Sequence, residues 1–480
     1  MTGTKEPRKL ILNATEMNTA GHIAFGLWRA VGSGRPHYTD LGYWTDLGRV
    51  AEQAGFDALF FADALGQLDT YRKNADQALI DAVQTPLDDP LLVISAIAAV
   101  TSTLGIAVTV STTYEQPYLL ARKFTTLDHL TAGRIGWNIV TSQLDSAARN
   151  MGYERQIPHD ERYEIAQEFV EVAYKLWEGS WDDGAVVRNR DRGIYADPAK
   201  VHAIGHAGKY YSVPSAHLSE PSRQRTPVIY QAGSSPRGRR FAARNAEVVF
   251  VAGMDPAATR KNVDEIKRLA VEAGRAPDAI KFVGIALAVT DETDAGARAK
   301  LRDLQRYRSV EGAITHFSAV TGVDWGEYDL DAPLSYIETD SNRSILASLT
   351  RDSPTRDWTL RKLFSPADGL AGYGSALVGS GQTVATALEE IAGASGLDGF
   401  NLAGPLSTES YQEFGEHVTP VLARRGRLRE KVPGGTLRET LFQAGSPWVP
   451  HDHPARRYRG SFAGQPNAAA PLPHQKTVHA

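Results

Sequence analysis

Eight short apolar runs separated by longer segments of helical period constrain this chain more than any other feature of its sequence. They occupy residues 9–14, 58–62, 105–111, 134–140, 227–231, 248–252, 281–289 and 399–403. Each has the length and the β-branched or aromatic content of a strand, and the segments between them place apolar residues three to four apart. Strands that alternate with helices build parallel sheets, because a parallel connection needs a crossover long enough to hold a helix. Eight such units close on themselves, so the expected fold is α/β, a TIM-type (β/α)8 barrel with insertions.

The helical segments cover 43–54, 90–102, 117–130, 162–178, 237–245, 256–273 and 383–392. Several carry proline in the first turn, and Thr39–Asp40 and Ser235–Pro236 have the composition of helix starts. Two connections exceed ordinary barrel loops: about 50 residues between Glu178 and Pro227, and about 90 between the seventh run and the helix that leads into the eighth. Both lie toward the C-terminal side of a strand, where barrel enzymes carry lids and pocket walls. The expected organisation is one barrel domain over residues 1–445, with insertions at 179–226 and 290–380, followed by an extended arm over 446–480.

With 42% hydrophobic and 22% charged residues among 480, the chain can bury a large core. A net charge of −4 excludes a general attraction to nucleic acid. The densest basic run, 424–431, is interrupted by Gly426, Leu428 and Glu430 and is expected to be a solvated helix end. The absence of cysteine excludes disulfides, thiolate metal sites and cysteine nucleophiles together. The opening MTGTKEPRKL lacks the apolar centre of a secretory signal. No stretch approaches the roughly 20 apolar residues of a membrane span, so a cytoplasmic protein without membrane contact is expected.

Polar residues cluster where strands end and a barrel opens. Asp63 follows FFA, Thr109 and Ser111 end VTVS, Asn138, Thr141 and Ser142 end WNIVTS, and Gln231 ends VIYQ. Any one could merely cap its strand, but together they favour a small-molecule site in the barrel mouth. AGSSPRG, residues 232–238, joins the fifth run to a helix. Its small residues permit close backbone approach, and the helix N-terminus aims free N–H groups at the loop, which suits a phosphate. No Gly-x-Gly-x-x-Gly follows the first run, so a Rossmann nicotinamide site is not expected. GSALVGSGQ, residues 374–382, has P-loop spacing without the lysine and is expected to be a loop and helix start. His202 and His206 lie four apart, but Gly205 and Gly208 argue against a helix presenting them to zinc, and no metal site is expected.

Four longer motifs carry a resemblance: TLDHLTAGRIGWNIVTS (126–142), HDERYEIAQEF (159–169), DPAKVHAIGHAGKYYSV (197–213) and TPVIYQAGSSPRGRRFAA (226–243). In these the chain resembles the bacterial luciferase-like flavin-dependent monooxygenases. Within that family it resembles the group acting on nitrilotriacetate, dibenzothiophene sulfone and long-chain alkanes. NATEMNTAGHIAFGLWR, HYTDLGYW, YEQPY and LDGFNL are most similar to the long-chain alkane members, so the likeness runs from Leu10 to Arg459.

The resemblance implies FMN in the barrel mouth. Asp63, Asn138, Ser142 and Gln143, with Thr109, would lie near its ring system and ribityl chain, and His159, Tyr163, Gly233, Ser234 and Ser235 would hold its phosphate. It also implies a catalytic pocket of His22, Gln84 and His316, which match the alkane enzyme. Three positions depart from it: Thr19 replaces cysteine, Leu68 tyrosine and Gln143 histidine. The implied chemistry is that of a two-component oxygenase. Reduced FMN from a separate NAD(P)H:flavin reductase meets O2, and a C4a-hydroperoxyflavin transfers one oxygen atom to an apolar small molecule. A long-chain alkane is one candidate, and the departures open the way to an aromatic, halogenated or organosulfur pollutant. The rivals are hydride transfer with a deazaflavin and a non-catalytic flavin-binding protein. Family members usually form homodimers or higher homo-oligomers.

Overall fold

Strand β1 (Ile11–Met17) shows how the sequence divides between two cores. Successive side chains of a strand face opposite ways. Leu12 and Ala14 join a large apolar layer with Trp44, Leu47 and Ala51 of helix α1 (Leu41–Gln53). Ile11 points the other way and packs with Ala58, Ala107, Val228, Tyr230, Val248 and Val283 inside a closed ring. Those residues belong to β2 (Ala58–Ala62), β3 (Gly105–Ser111), β5 (Val228–Gln231), β6 (Val248–Phe250) and β7 (Lys281–Asp291). With β4 (Ile135–Val140) and β9 (Gly399–Ala403) they form a parallel barrel, each strand pairing with the next and β9 closing onto β1. The computed structural model describes residues 8–233, 235–251, 255–339, 341, 343–351, 357–365 and 375–467. All eight apolar runs fall on the eight barrel strands.

The two ends of the barrel differ. The N-terminal end is plugged by the short helix Leu437–Phe442, whose Leu437 and Leu441 pack with the interior residues. Around the plug, carboxylates accept strand N–H groups from their neighbours: Asp57 Oδ2 from Leu12 (2.9 Å), Glu247 Oε2 from Ile229 (3.1 Å) and Asp398 Oδ2 from Phe282 (2.8 Å). Each is paired with a cation, Lys431 on Asp57, Arg438 on Glu247 and Arg8 on Asp398. Paired and hydrogen-bonded, these charges tolerate burial that would be prohibitive alone. Toward the other end the interior becomes polar. Asn13 Nδ2 donates to Asn401 Oδ1 (2.9 Å), and Asn138 Nδ2 donates to Thr109 Oγ1 (2.9 Å). A ligand therefore has the C-terminal end to enter by.

Three expectations need correction. Residues 375–380, expected as a loop, are a ninth parallel strand, β8 (Ser375–Ser380), paired with the outer half of the long β7 from Ala286 to Asp291. The unpaired upper edge of β7 recruits this glycine- and serine-rich segment, and α8 (Gly381–Ser395) follows at once. The basic run 424–431 is not a solvated helix end. Arg425 and Arg427 share Glu389, Arg429 donates to the Leu441 carbonyl (2.6 Å), and Lys431 pairs with Asp57. The single helix over 90–102 is broken into a 3₁₀ turn, Pro90–Leu92, and a helix, Ile94–Val100.

The connection after Glu178 contains two small antiparallel hairpins, Val186–Asn189 with Ile194–Ala196 and His206–Ala207 with Ser212–Val213. His202 and His206 form no metal cluster among the described residues. His202 meets Asp182 and the Gln465 carbonyl, and His206 meets Glu168 and Lys175. The segment from Pro447 returns to the barrel, with His453 Nε2 on the Asn245 carbonyl (2.8 Å) and Arg459 on Glu178 (2.7 Å). Among the described residues, no helix is long and apolar enough to cross a membrane.

Candidate active site

The open end is assembled from the segments that follow individual strands, and it has two regions. The first lies over β3, β4 and β5. Thr109 Oγ1 donates to the Phe61 carbonyl (2.7 Å) while accepting from Asn138, and Ser142 Oγ bonds Ser111 Oγ (2.8 Å). Ser142 has φ of +48°, so the chain turns sharply just past β4, and Gln143 follows it, half-buried. Arg162, fully buried, donates to the Ser142 carbonyl and locks that turn. It lies on α3 (His159–Tyr174), whose first residue, His159, packs edge-on against Tyr163 at 5.2 Å. The Tyr163 hydroxyl faces Ser235, Thr141 and Gln231, and burial, outweighing them, raises its pKa.

Ser235 caps α4 (Pro236–Asn245) by accepting from the Gly238 N–H (3.0 Å). Gly233 precedes it in a confined space. A Cβ there would fall 2.5 Å from Gln231 Nε2 and 2.9 Å from the Gly238 carbonyl carbon. The loop can therefore bring its backbone against a ligand only as glycine. Ser234 lies outside the described residues. Asp63, just past β2, has its pKa raised to about 7, by burial first and by neighbouring Asp89, against the Ala64 N–H.

The second region gathers residues from three distant segments. His22 follows β1, Gln84 follows β2, and His316 lies on α7 (Val310–Thr321), within the long connection after β7. Gln84 Nε2 meets His316 Nε2 at 3.2 Å, the amide N–H donating to the ring when its Nε2 is unprotonated. Burial pushes His316 down to about 4. Burial, then the Arg35 charge, then His316 hold His22 well below the usual imidazole range. Both rings are neutral near pH 7. Arg35 itself is occupied by Glu16 (3.0 Å) and the Gly404 carbonyl (2.6 Å). Thr19 is buried and donates to the Pro86 carbonyl (2.6 Å). Leu68 belongs to an apolar cluster with Phe25, Leu144, Ile314 and Phe317, and the Phe25 ring lies 5.1 Å from His316.

Three buried polar atoms in these regions, Asn138 Oδ1, Gln231 Oε1 and His22 Nδ1, have no partner among the described residues. Each would cost about 1–3 kcal/mol if left so, which marks them as contacts for something bound. Together with the glycine cradle at a helix N-terminus, they fit a phosphate-bearing polar cofactor beside a neutral pocket.

The model of the luciferase-like monooxygenase family matches residues 23–399. The chain belongs to the luciferase-like monooxygenase family. It is 47% identical to the long-chain alkane monooxygenase of Geobacillus thermodenitrificans (strain NG80-2), covering 94% of this chain and 98% of that protein. It is 44% identical to the dimethyl-sulfide monooxygenase of Hyphomicrobium sulfonivorans, covering 96% of each. A crystal structure of a long-chain alkane monooxygenase matches with a TM-score of 0.87 at 45% identity, over 94% of this chain and all of that one. A riboflavin lyase crystallised with modified FMN and riboflavin matches at 0.86 and 35% identity, over 94% and 99%. This luciferase-like monooxygenase is thus a flavin-dependent enzyme that acts with O2.

In the luciferase-like barrel of this chain, of the residues expected around the cofactor phosphate, Gly233, Ser235 and the Tyr163 hydroxyl meet at the N-terminus of α4, and His159 packs on Tyr163. Thr109, Asn138 and Ser142 line the neighbouring strand ends. His22, Gln84 and His316 converge. Arg162 and Phe25 went unremarked in the sequence. Neither carried a sequence signal: an arginine in the first turn of the HDERY helix and a phenylalanine in an apolar stretch read the same whether or not they face a site.

Proposed function

We propose that this luciferase-like monooxygenase is the oxygenase of a two-component system. A separate NAD(P)H:flavin reductase supplies reduced FMN, and the barrel uses it with O2 to place one oxygen atom on an uncharged, apolar small molecule. It works in the cytoplasm, and it does so as a homodimer or higher homo-oligomer, the assembly that the family resemblance implies. The observation that carries the reading is the pairing of a phosphate cradle with a pocket whose polar groups, His22, Gln84 and His316, are all uncharged at neutral pH.

Gly233, Ser234, Ser235, His159 and Tyr163 would hold the phosphate, and Asp63, Thr109, Asn138, Ser142 and Gln143 the ring system and ribityl chain. When bound, the reduced flavin supplies the activation of O2. The protein excludes water, which protects a reactive oxygen species from loss, and orients the substrate. A neutral imidazole offers one N–H and one lone pair, so His22 or His316 can hold a proton at a defined atom while Gln84 fixes the ring. Thr19 and Leu68 would face the substrate. A long-chain alkane fits His22, Gln84 and His316. The replacements at Thr19, Leu68 and Gln143 favour another apolar compound, halogenated, aromatic or sulfur-containing, and the dimethyl-sulfide relative supports the last.

The test is an assay of purified protein with FMN, NADH, O2 and a panel of linear alkanes, dialkyl sulfides, aryl sulfones and chlorinated aromatics, with and without an added flavin reductase. Oxygenated product from at least one class is expected only with the reductase. Rapid NADH oxidation without it would defeat the two-component reading, and flavin oxidation with no product from any class would defeat the substrate reading.

A further inference from the structure

Gln84 and His316 are separated by 231 intervening residues, yet their contact depends on how the N-terminus of α7 is seated on two loops of the barrel mouth. Ser309 caps α7, its Oγ accepting from the Gly312 N–H (2.9 Å). The same hydroxyl donates to Asp81 Oδ2 (2.5 Å), and that oxygen also accepts from Gln77 Nε2 (2.6 Å). The Ser309 N–H donates to the Phe25 carbonyl (3.0 Å) in the loop that carries His22. Gly312 lets the three segments close up, since a Cβ there would meet Asp81 Oδ2 at 3.1 Å and Phe25 Cβ at 3.2 Å.

The loop after Asp81 is conformationally demanding. Ala82 and Gln84 both have positive φ, +53° and +49°. Such backbone persists where its surroundings over-determine it. Here the Gln84 N–H donates to the Gly21 carbonyl (3.0 Å), and the Ala82 carbonyl oxygen occupies the space a Gly21 side chain would need, 1.8 Å from its Cβ position. Asp81 is thus the side chain that joins the Gln84 loop to the start of the His316 helix.

We propose that Asp81 is a positioning residue. By receiving the Ser309 hydroxyl at the N-terminus of α7, it sets the spacing between Gln84 and His316. The proposal rests on the reading of those two residues as part of the oxygenation pocket. Asp81 is placed to act through them, at the other end of the loop and helix that carry them, so its loss should spoil the use of activated oxygen without weakening cofactor binding at the distant Gly233 cradle. Displacement of a positioned group by about 1 Å can cost as much as a hundredfold in rate.

The experiment compares Asp81→Ala, Asp81→Asn and Ser309→Ala with the unaltered enzyme in a reductase-coupled assay. It measures FMN affinity and the ratio of oxygenated product to hydrogen peroxide released. Asp81→Ala and Ser309→Ala should each lower that ratio by roughly tenfold with FMN affinity unchanged. Asp81→Asn, which keeps an acceptor oxygen, should restore most of it. In a His316→Ala background, Asp81→Ala should add little, since both act through one group. Ser309→Ala breaks the same bond from the helix side and decides the matter if Asp81→Ala does not fold. An unchanged ratio in Ser309→Ala, or fully additive losses with His316→Ala, would overturn the proposal. Failure of the unaltered enzyme to bind FMN or form product would instead defeat the functional reading beneath it.

Discussion

Replacement of Gly233 by alanine is expected to weaken FMN binding by about a hundredfold, which corresponds to about 2.7 kcal/mol, while leaving the barrel folded. The added methyl group would meet the Gln231 amide at 2.5 Å and the Gly238 carbonyl carbon at 2.9 Å. A side-chain end can swing aside, but Gly238 belongs to the first turn of α4 and its backbone has no such freedom. Relief must come from moving the loop, and the loop is what would bring N–H groups against the phosphate. Fluorescence titration with FMN measures the loss, and a melting curve close to that of the unaltered protein shows that the fold survives. Affinity within threefold of the original would mean that the phosphate lies elsewhere.

The second large effect is on stability. Arg438→Met should cost about 3–5 kcal/mol, because it strands a buried carboxylate. Arg438 holds Glu247 with two hydrogen bonds (2.6 and 2.8 Å) and also donates to the carbonyls of Thr226, Pro227 and Pro447. Burial pushes the Glu247 carboxyl up, and Arg438 outweighs it, so the group lies below the usual carboxylate range. A carboxylate lowered in the folded state adds stability above its unfolded pKa and loses it as pH falls through the folded value. In the variant that lowering is gone and burial raises the carboxyl instead, so the loss should be largest near and above neutral pH and shrink as acid protonates Glu247, and the double variant Glu247→Gln, Arg438→Met should recover much of it. Denaturant unfolding across pH checks this. A loss below about 1 kcal/mol would place the pair among the weak surface bridges.

The barrel was legible because its strands are buried on both faces, which makes each a short apolar run with no alternation to confuse it with a helix. β8 escaped for the opposite reason. It lies outside the ring, its Ser-Ala-Leu-Val-Gly-Ser sequence has only a three-residue apolar centre, and what makes it a strand is the overhang of β7. The basic run misled because ion pairs such as Lys431 with Asp57 join residues 374 apart, which no local pattern records.

The site divides in the same way. Strand-end polar residues and the 232–238 loop could be marked from the sequence, because strand ends and helix starts are local features. The convergence of His22, Gln84 and His316 was available only through family resemblance, since α7 reaches the mouth from an insertion whose path no spacing rule predicts. Arg162 and Asp81 are both charged residues near helix termini, and there a solvated residue and an inward one look alike in sequence.

Everything proposed for this luciferase-like monooxygenase depends on a reduced flavin held at the C-terminal mouth. An anaerobic titration with reduced FMN, followed by fluorescence or calorimetry, tests that most directly. Saturation at one equivalent per chain, lost on substitution of Gly233 or Tyr163 and kept on substitution of Leu68, is the expected result. Absence of binding, or binding indifferent to Gly233 and Tyr163, would contradict it.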